Sequence, residues 1–238
     1  MSSTLHKLLQ TAGLTALLAL AGCASGPAAD PRDPLEPLNR GIYQFNVDVD
    51  RALLKPVATA YVDVAPAPVC TGVNNFFGNL RDGWSAVNGV LQLRPREATE
   101  NGMRFAINST FGLVGLLDIA SEMGLERTTL DFGMTLGRWG VPDGPYLMLP
   151  LLGPSTLRDT AALPVDGQGN AVGQVGHIPT RNELRALSVV DQRAGLLRAG
   201  DMLQEAALDP YSFLRDSYLQ RRHSQMGVTP PEERYDLE

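Results

Sequence analysis

Cysteine is all but missing from this sequence: Cys23 and Cys70 are the only two among 238 residues. No disulfide framework can carry the fold, and no thiol cluster is available for a structural metal. Histidine is equally scarce, and neither His177 nor His223 has a Cys or acidic partner at metal-ligand spacing. A nucleophile elbow is missing, since Ser155 lies in "GPSTL", which lacks the second glycine of G-x-S-x-G. "GNLRDGWS" (Gly78 to Ser85) has the glycine spacing of a P-loop, but Trp84 stands where the phosphate-binding lysine belongs. Asp48 and Asp50 lie two apart, so on a helix they face different ways and do not form an acid–base pair. No run of like charge occurs and the net charge is −6, which excludes the basic footprint of a nucleic-acid binder. No catalytic residue, metal ligand or cofactor site is expected, and the chain reads as a non-enzyme.

What is present begins at the N-terminus. "MSSTLHKLLQTAGLTALLALAGCASG" has Lys7, an apolar stretch from Leu8 to Ala21, and small residues around Cys23. This is the pattern of a secretory signal, too short to be a stable membrane span. The ending "LAGC" (Leu20 to Cys23) resembles the bacterial lipoprotein box, which implies cleavage after residue 22 and a lipid on the Cys23 sulfur. Each buried CH₂ of that lipid contributes ~0.8 kcal/mol, so several acyl chains anchor the chain durably. Ala24 and Ser25 follow in place of an inner-membrane-retaining Asp, which favours the periplasmic face of the outer membrane of a Gram-negative bacterium. Cys70, in helical phase with Val73 and Phe77, is expected to be a buried, inert thiol.

The expected organisation is a signal peptide (1–22), a lipidated tether (23–32), a single helical domain (33–222) and a loose polar tail (223–238). Leu35, Leu38, Ile42, Phe45, Val49 and Leu53 recur at steps of three and four, with Asn39, Asn46, Asp48, Asp50 and Arg51 opposite. This predicts an amphipathic helix starting at an Asp33 cap, with Pro34 in its first turn and Glu36 completing a capping box. Short helices follow: one through Val57 and Tyr61, one ending near Gly78, one capped by Asp82, and one opened by Pro95. The stretch Phe105 to Leu117 carries no charge over thirteen residues, the length of a buried core helix or an interfacial segment. Leu163 to Thr180 reads as a glycine-rich loop, and Asp209 with Pro210 opens a last helix. Sustained period-two alternation is missing, so the fold class is mainly α.

One stretch resists these rules. "GVPDGPYLMLPLLGPSTLRD" (Gly140 to Asp159) is rich in Leu and Met yet broken by four prolines and three glycines. Such a segment forms neither a long helix nor a central strand. Together with "DPLEPLNRGIYQFNVDVDRALLKPVATAY" (Asp33 to Tyr61), "NNFFGNL" (Asn74 to Leu80), "RFAINSTFGLVGLLDIA" (Arg104 to Ala120) and "YSFLRDSYLQRR" (Tyr211 to Arg222), it resembles the MlaA/VacJ family of outer-membrane lipoproteins over nearly the whole mature chain. The glycine-rich 163–180 segment departs from that pattern, being more polar than the family's.

The resemblance implies a ring of amphipathic and apolar helices in the inner leaflet of the outer membrane, around a central pore. It further implies association with a trimeric porin and removal of mislocalised phospholipid from the outer leaflet. The lipid would pass to a periplasmic carrier and, through it, to an ATP-driven inner-membrane transporter. Gly140 to Gly153 would be an irregular hairpin loop beside the pore. There Tyr146, Leu147, Met148, Leu149, Leu151 and Leu152 would meet acyl chains, Asp143 would supply polarity, and Gly140, Gly144 and Gly153 would allow motion. The competing expectation is a structural lipoprotein that scaffolds porins without moving lipid.

Overall fold

The computed structural model describes residues 30–227, apart from the side chains of 203–206; the signal segment, Cys23 and the chain from 228 onward lie outside the described residues. The architecture is mainly α. Helix α1 (Glu36–Val49) continues through a π-helical turn (Asp50–Leu54) into α2 (Lys55–Val64), followed by α3 (Ala67–Leu91) and α4 (Pro95–Thr110). Two short helices, α5 (Ile119–Glu122) and α6 (Phe132–Arg138), lead to a hairpin of β1 (Tyr146–Leu149) and β2 (Gly153–Thr156). Then come α7 (Leu157–Gly169), a 3-10 turn (Ala171–Gln174), α8 (Ile178–Gly195), α9 (Leu197–Ala206) and α10 (Pro210–Met226). Among the described residues, no helix is long and apolar enough to cross a membrane.

Helix α3, the longest among the described residues at 25 residues, packs antiparallel on α4 after a turn at Gln92–Arg94. Gly89 lies against Ala98, and a Cβ at Gly89 would come within 2.9 Å of the Ala98 backbone. Gly83 meets the Phe105 ring and Gly102 meets Ala86 in the same antiparallel sense. Small residues therefore let the two helices approach closely. The sequence splits α3 at Gly78 and gives Asp82 a capping role; the structure keeps one helix of 25 residues. Gly78 is instead the place where the Arg127 guanidinium lies against the helix, and Asp82 is buried in the interior beneath it.

Other expectations change for similar reasons. The first helix begins at Glu36, and Asp33 makes no cap bond. The Asp33 carboxylate is buried, accepting from Tyr211 Oη (2.5 Å) and Asn39 Nδ2 (2.8 Å) and pairing with Arg215 (3.3 Å). Long-range demand overrides the local capping signal. Residues 30–32 already belong to the fold, since Asp30 pairs with Arg32 and with Arg215 of α10.

The uncharged Phe105 to Leu117 stretch is not a buried core helix. It leaves the helix at Thr110 and closes in turns, with Leu113, Val114 and Gly115 at positive φ. A Cβ at Gly112 would collide with the Leu117 carbonyl, so this tight return needs a glycine.

The 163–180 segment is largely helical: α7 runs through Pro164 to Gly169, and Gly169 packs so closely on the Trp84 ring that no side chain fits there. At the far end, the helix continues past Arg222 to Met226 and stops at Gly227 in the left-handed region (φ 72). His223 is thus helical and bonded to Asp143 (2.9 Å). Cys70, expected to be buried, is only half-buried, its Sγ donating to the Ala65 carbonyl at 3.8 Å.

Candidate functional site: polar interior, amphipathic cavity and hairpin

The molecule is built inside out for water. Among the described residues, eighteen polar or charged ones are buried, against twelve hydrophobic ones. Arg104 is 1% exposed and forms ion pairs with Asp82 (3.2 Å) and Asp118 (2.8 Å). Its Nη1 donates to the Leu125 carbonyl (2.7 Å) and to Ser121 Oγ (3.0 Å). Arg127 closes the cluster on Asp82 at 2.8 Å. One helical turn away on each side, Asn101 donates to the Thr128 carbonyl and Asn108 to Asp118. The polar faces of α3 and α4 thus hold the 118–131 segment. A buried charge is tolerable only when paired and hydrogen-bonded, and this network meets that condition.

Desolvation raises the Asp118 carboxyl's pKa, but hydrogen bonds from Ser121, Asn108 and Arg104 outweigh it and bring it from 3.8 to about 2. A depressed carboxyl pKa stabilises the fold above the unfolded value and loses that contribution as pH falls through the folded value. The thermal midpoint in detergent is expected to drop as pH falls from 3.8 to about 2. Asp118→Asn should be less stable at neutral pH and show a smaller drop over that interval; an equal drop would remove Asp118 from the acid response.

Apolar side chains face outward. Phe111, Leu113, Val114, Leu116 and Leu117 are exposed on the turn after α4; Leu91, Leu93 and Trp139 are exposed elsewhere, with Leu113 64% open. In α1 the pattern is opposite to that of a water-soluble helix: Leu38 and Phe45 are exposed, while Asn39 is buried and Asn46 faces the hairpin. Each large side chain left in water forgoes roughly 1.5–3 kcal/mol of burial. Single exposed leucines are ordinary, but a surface this apolar over a core this polar suits a hydrocarbon surrounding.

The hairpin pairs Tyr146 with Thr156 and Leu149 with Gly153, a regular two-stranded sheet over four pairs. Its free edge is covered by α1 side chains acting as a substitute strand. Asn39 Nδ2 donates to the Tyr146 carbonyl (3.1 Å), and its Oδ1 accepts from Met148 N (2.9 Å). Asn46 repeats the clamp two turns on, donating to the Leu149 carbonyl (2.9 Å) and accepting from Leu151 N (2.7 Å). Tyr146 and Met148 are not surface groups: they enter the core with Tyr211 and Leu219. Leu147 and Leu149 are half-buried, and only Leu151 and Leu152 stand out, at the tip. Gly140, Gly144 and Gly153 all have positive φ (94, 68 and 85), which explains the glycines through the turns they make. Asp143 pairs with Arg158 and His223.

Asn39→Ala is expected to cost about 1–3 kcal/mol, because Met148 N loses its partner in the core. Asn46→Ala should cost less, since water reaches the exposed turn at Leu151. Thermal melting of the two variants checks the order; equal costs would mean the clamp does not discriminate core from tip.

A cavity of about 740 Å³ lies between α3, residues 129–131, α7, the 3-10 turn and α8. Phe77, Leu80, Trp84, Leu130 and Val172 give it apolar walls, while Arg81, Asp166 and Arg185 bring charge to it. None of the hairpin residues expected beside a lipid path lines this cavity. The volume falls within the range of ligand sites, and the mixture of walls suits a ligand with both a charged and an apolar part.

The comparisons agree with this geometry. The family model described as MlaA lipoprotein matches residues 31–225. The chain belongs to the MlaA lipoprotein family. It is 38% identical over 208 residues to the intermembrane phospholipid transport system lipoprotein MlaA of Escherichia coli K12, covering 85% of this chain and 82% of that one. The Haemophilus influenzae protein of the same name is 34% identical over 223 residues, covering 87% of each chain. A solved structure described as the structural basis for maintenance of bacterial outer membrane lipid asymmetry superposes with a TM-score of 0.72 at 34% identity. It covers 82% of this chain and 98% of that one. The MlaA fold in this chain therefore joins an apolar exterior to a polar interior.

Sequence reasoning missed Asn39, Asn46, Asp82, Arg81 and Asp166. The signal for the first two was available: two asparagines seven apart on one helix face are costly propensity choices and call for a partner.

Proposed function

We propose that this chain is a lipid-anchored protein of the outer membrane's periplasmic side. It acts there as a passive conduit taking mislocalised phospholipid out of the outer leaflet and so maintains lipid asymmetry. The observation that carries the reading is the inversion of the molecule, with a charged cavity reached inside a body whose exterior prefers hydrocarbon. A phospholipid leaving a bilayer must keep its tails out of water and its head out of hydrocarbon, and both requirements are met by walls of mixed character. The relatives are named for intermembrane phospholipid transport, which points to the same cargo.

In this reading Cys23 carries the anchoring lipid and the cavity is the lipid path. A trimeric porin holds the protein in the membrane, while a periplasmic carrier receives the lipid for an ATP-driven inner-membrane transporter. The chain's own part is binding and orientation, so no chemical step is assigned to it. Deleting the protein is expected to raise outer-leaflet phospholipid, measured by surface lipid labelling on intact cells. Ser188→Trp, at a cavity-lining position on α8, should have the same effect at normal protein abundance. If the blocked cavity clears lipid as wild type does, the protein is a scaffold and the conduit reading fails.

A further inference from the structure

Three charged side chains that line the cavity, Arg81, Arg185 and Asp166, form no ion pair among the described residues. Arg81 lines it from α3 and has no ion-pair partner among the described residues; its neighbour Asp82 is already occupied by Arg104 and Arg127. Crowding by protein atoms lowers the Arg81 pKa, with the Arg127 charge acting in the same direction; the Asp82 and Asp191 carboxylates offset this only in part. Arg185 of α8 lines the same space, its guanidinium beside Gly173. One helical turn after Arg81, the Trp84 indole N–H donates to Asp166 Oδ1 (2.7 Å), which also accepts from Phe132 N (2.9 Å). Both bonds fall on Oδ1, leaving Oδ2 without a donor among the described residues. Burial pushes the Asp166 carboxyl's pKa upward, as expected for a carboxylate short of positive charge.

We infer that Arg81, with Arg185, takes the phosphate of a phospholipid head and that Asp166 takes an ammonium two carbons away, so that the cavity prefers phosphoethanolamine heads over anionic heads without an amine. This rests on the conduit reading and supplies its headgroup. The spacing is suited to the task, because residues three apart on a helix are neighbours and Trp84 fixes Asp166 beside that face. A guanidinium matches phosphate bidentately, while a free carboxylate oxygen matches an ammonium. An anionic glycerol head would satisfy the arginines but leave Asp166 facing like charge.

The test uses the full lipoprotein in detergent, exposed to mixed micelles with equal phosphatidylethanolamine and phosphatidylglycerol. Retained lipid is read by native mass spectrometry. Wild type should retain the ethanolamine lipid about tenfold over the glycerol lipid, the worth of one charge-assisted pair. Asp166→Asn keeps an oxygen for Trp84 and Phe132 and should bring the ratio close to one with total retention preserved. Arg81→Gln should lower retention of both lipids, and Arg81→Lys should restore only part of it, since an ammonium keeps the charge but not the bidentate fork. Thermal melting accompanies each variant, so a folding defect is separated from a lost site. Lipid retained by wild type without preference, or an unchanged ratio in a folded Asp166→Asn protein, overturns the headgroup assignment and leaves the conduit standing. A wild-type protein that retains neither lipid overturns both.

Discussion

Replacing Arg104 with alanine is expected to destabilise the protein by about 3–5 kcal/mol, the scale for removing one partner of a buried charge network. Asp82 and Asp118 would lose their shared cation, and the Leu125 carbonyl would lose a donor at 2.7 Å. Arg127 reaches both carboxylates but is held chiefly on Asp82, at 2.8 Å against 3.7 Å for Asp118, so it cannot replace the missing charge. For a domain of this size the loss corresponds to roughly 10 °C in thermal midpoint. The single change should cost more than its combination with Asp82→Asn and Asp118→Asn, because the charges stranded by Arg104→Ala are then gone too. Melting of the purified protein in detergent decides it. A shift below about 0.5 kcal/mol would mean that apolar packing, not this polar network, joins α3 to α4.

The importance of that network explains what the sequence reveals and what it conceals. Helix content was legible because α1 announces itself by its period, and α4 and α10 by the prolines that open them, Pro95 and Pro210. The Asp209 cap was legible too, since it is a local signal with a local effect. Direction was not. Periodicity separates an apolar face from a polar one but does not say which solvent each face meets. The rule that apolar faces go inward fails in α1, where Phe45 is outside and Asn39 inside.

Asp33 and Asp82 misled in a second way. Both have the local context of a cap, and both are taken by partners far along the chain: Tyr211 and Arg215 for one, Arg104 and Arg127 for the other. The cavity was invisible for the same reason, because Arg81, Asp166 and Arg185 come from three separate helices. The hairpin was half legible. Its glycines mark the turns, but β1 is completed by two side chains of α1, a pairing that periodicity within 140–159 cannot reveal.

That half-buried hairpin gives the sharpest separation between stability and function. Leu151 and Leu152 form its tip and are 64% and 71% exposed, with Leu151 held at φ 63. Changing both to Asp removes little packing, and the Asn46 clamp binds backbone alone, the Leu149 carbonyl and the Leu151 amide, which any residue supplies. The folded protein in detergent should therefore melt close to wild type, and abundance should be normal. In the membrane the outcome changes. A tip immersed in the acyl region would carry two carboxylates, each costing about 2.5–3.5 kcal/mol on insertion scales. The hairpin would be drawn toward water, and through Asn39 and Asn46 that pull acts on α1. Lipid clearance is expected to fall to the level of the deletion strain, with outer-leaflet phospholipid raised to match. Leu151→Ala with Leu152→Ala serves as the control, removing the same packing without charge, and should keep most of the activity. If the double Asp variant clears lipid normally at wild-type abundance, the tip does not sit in hydrocarbon, and the exposed leucines need another partner.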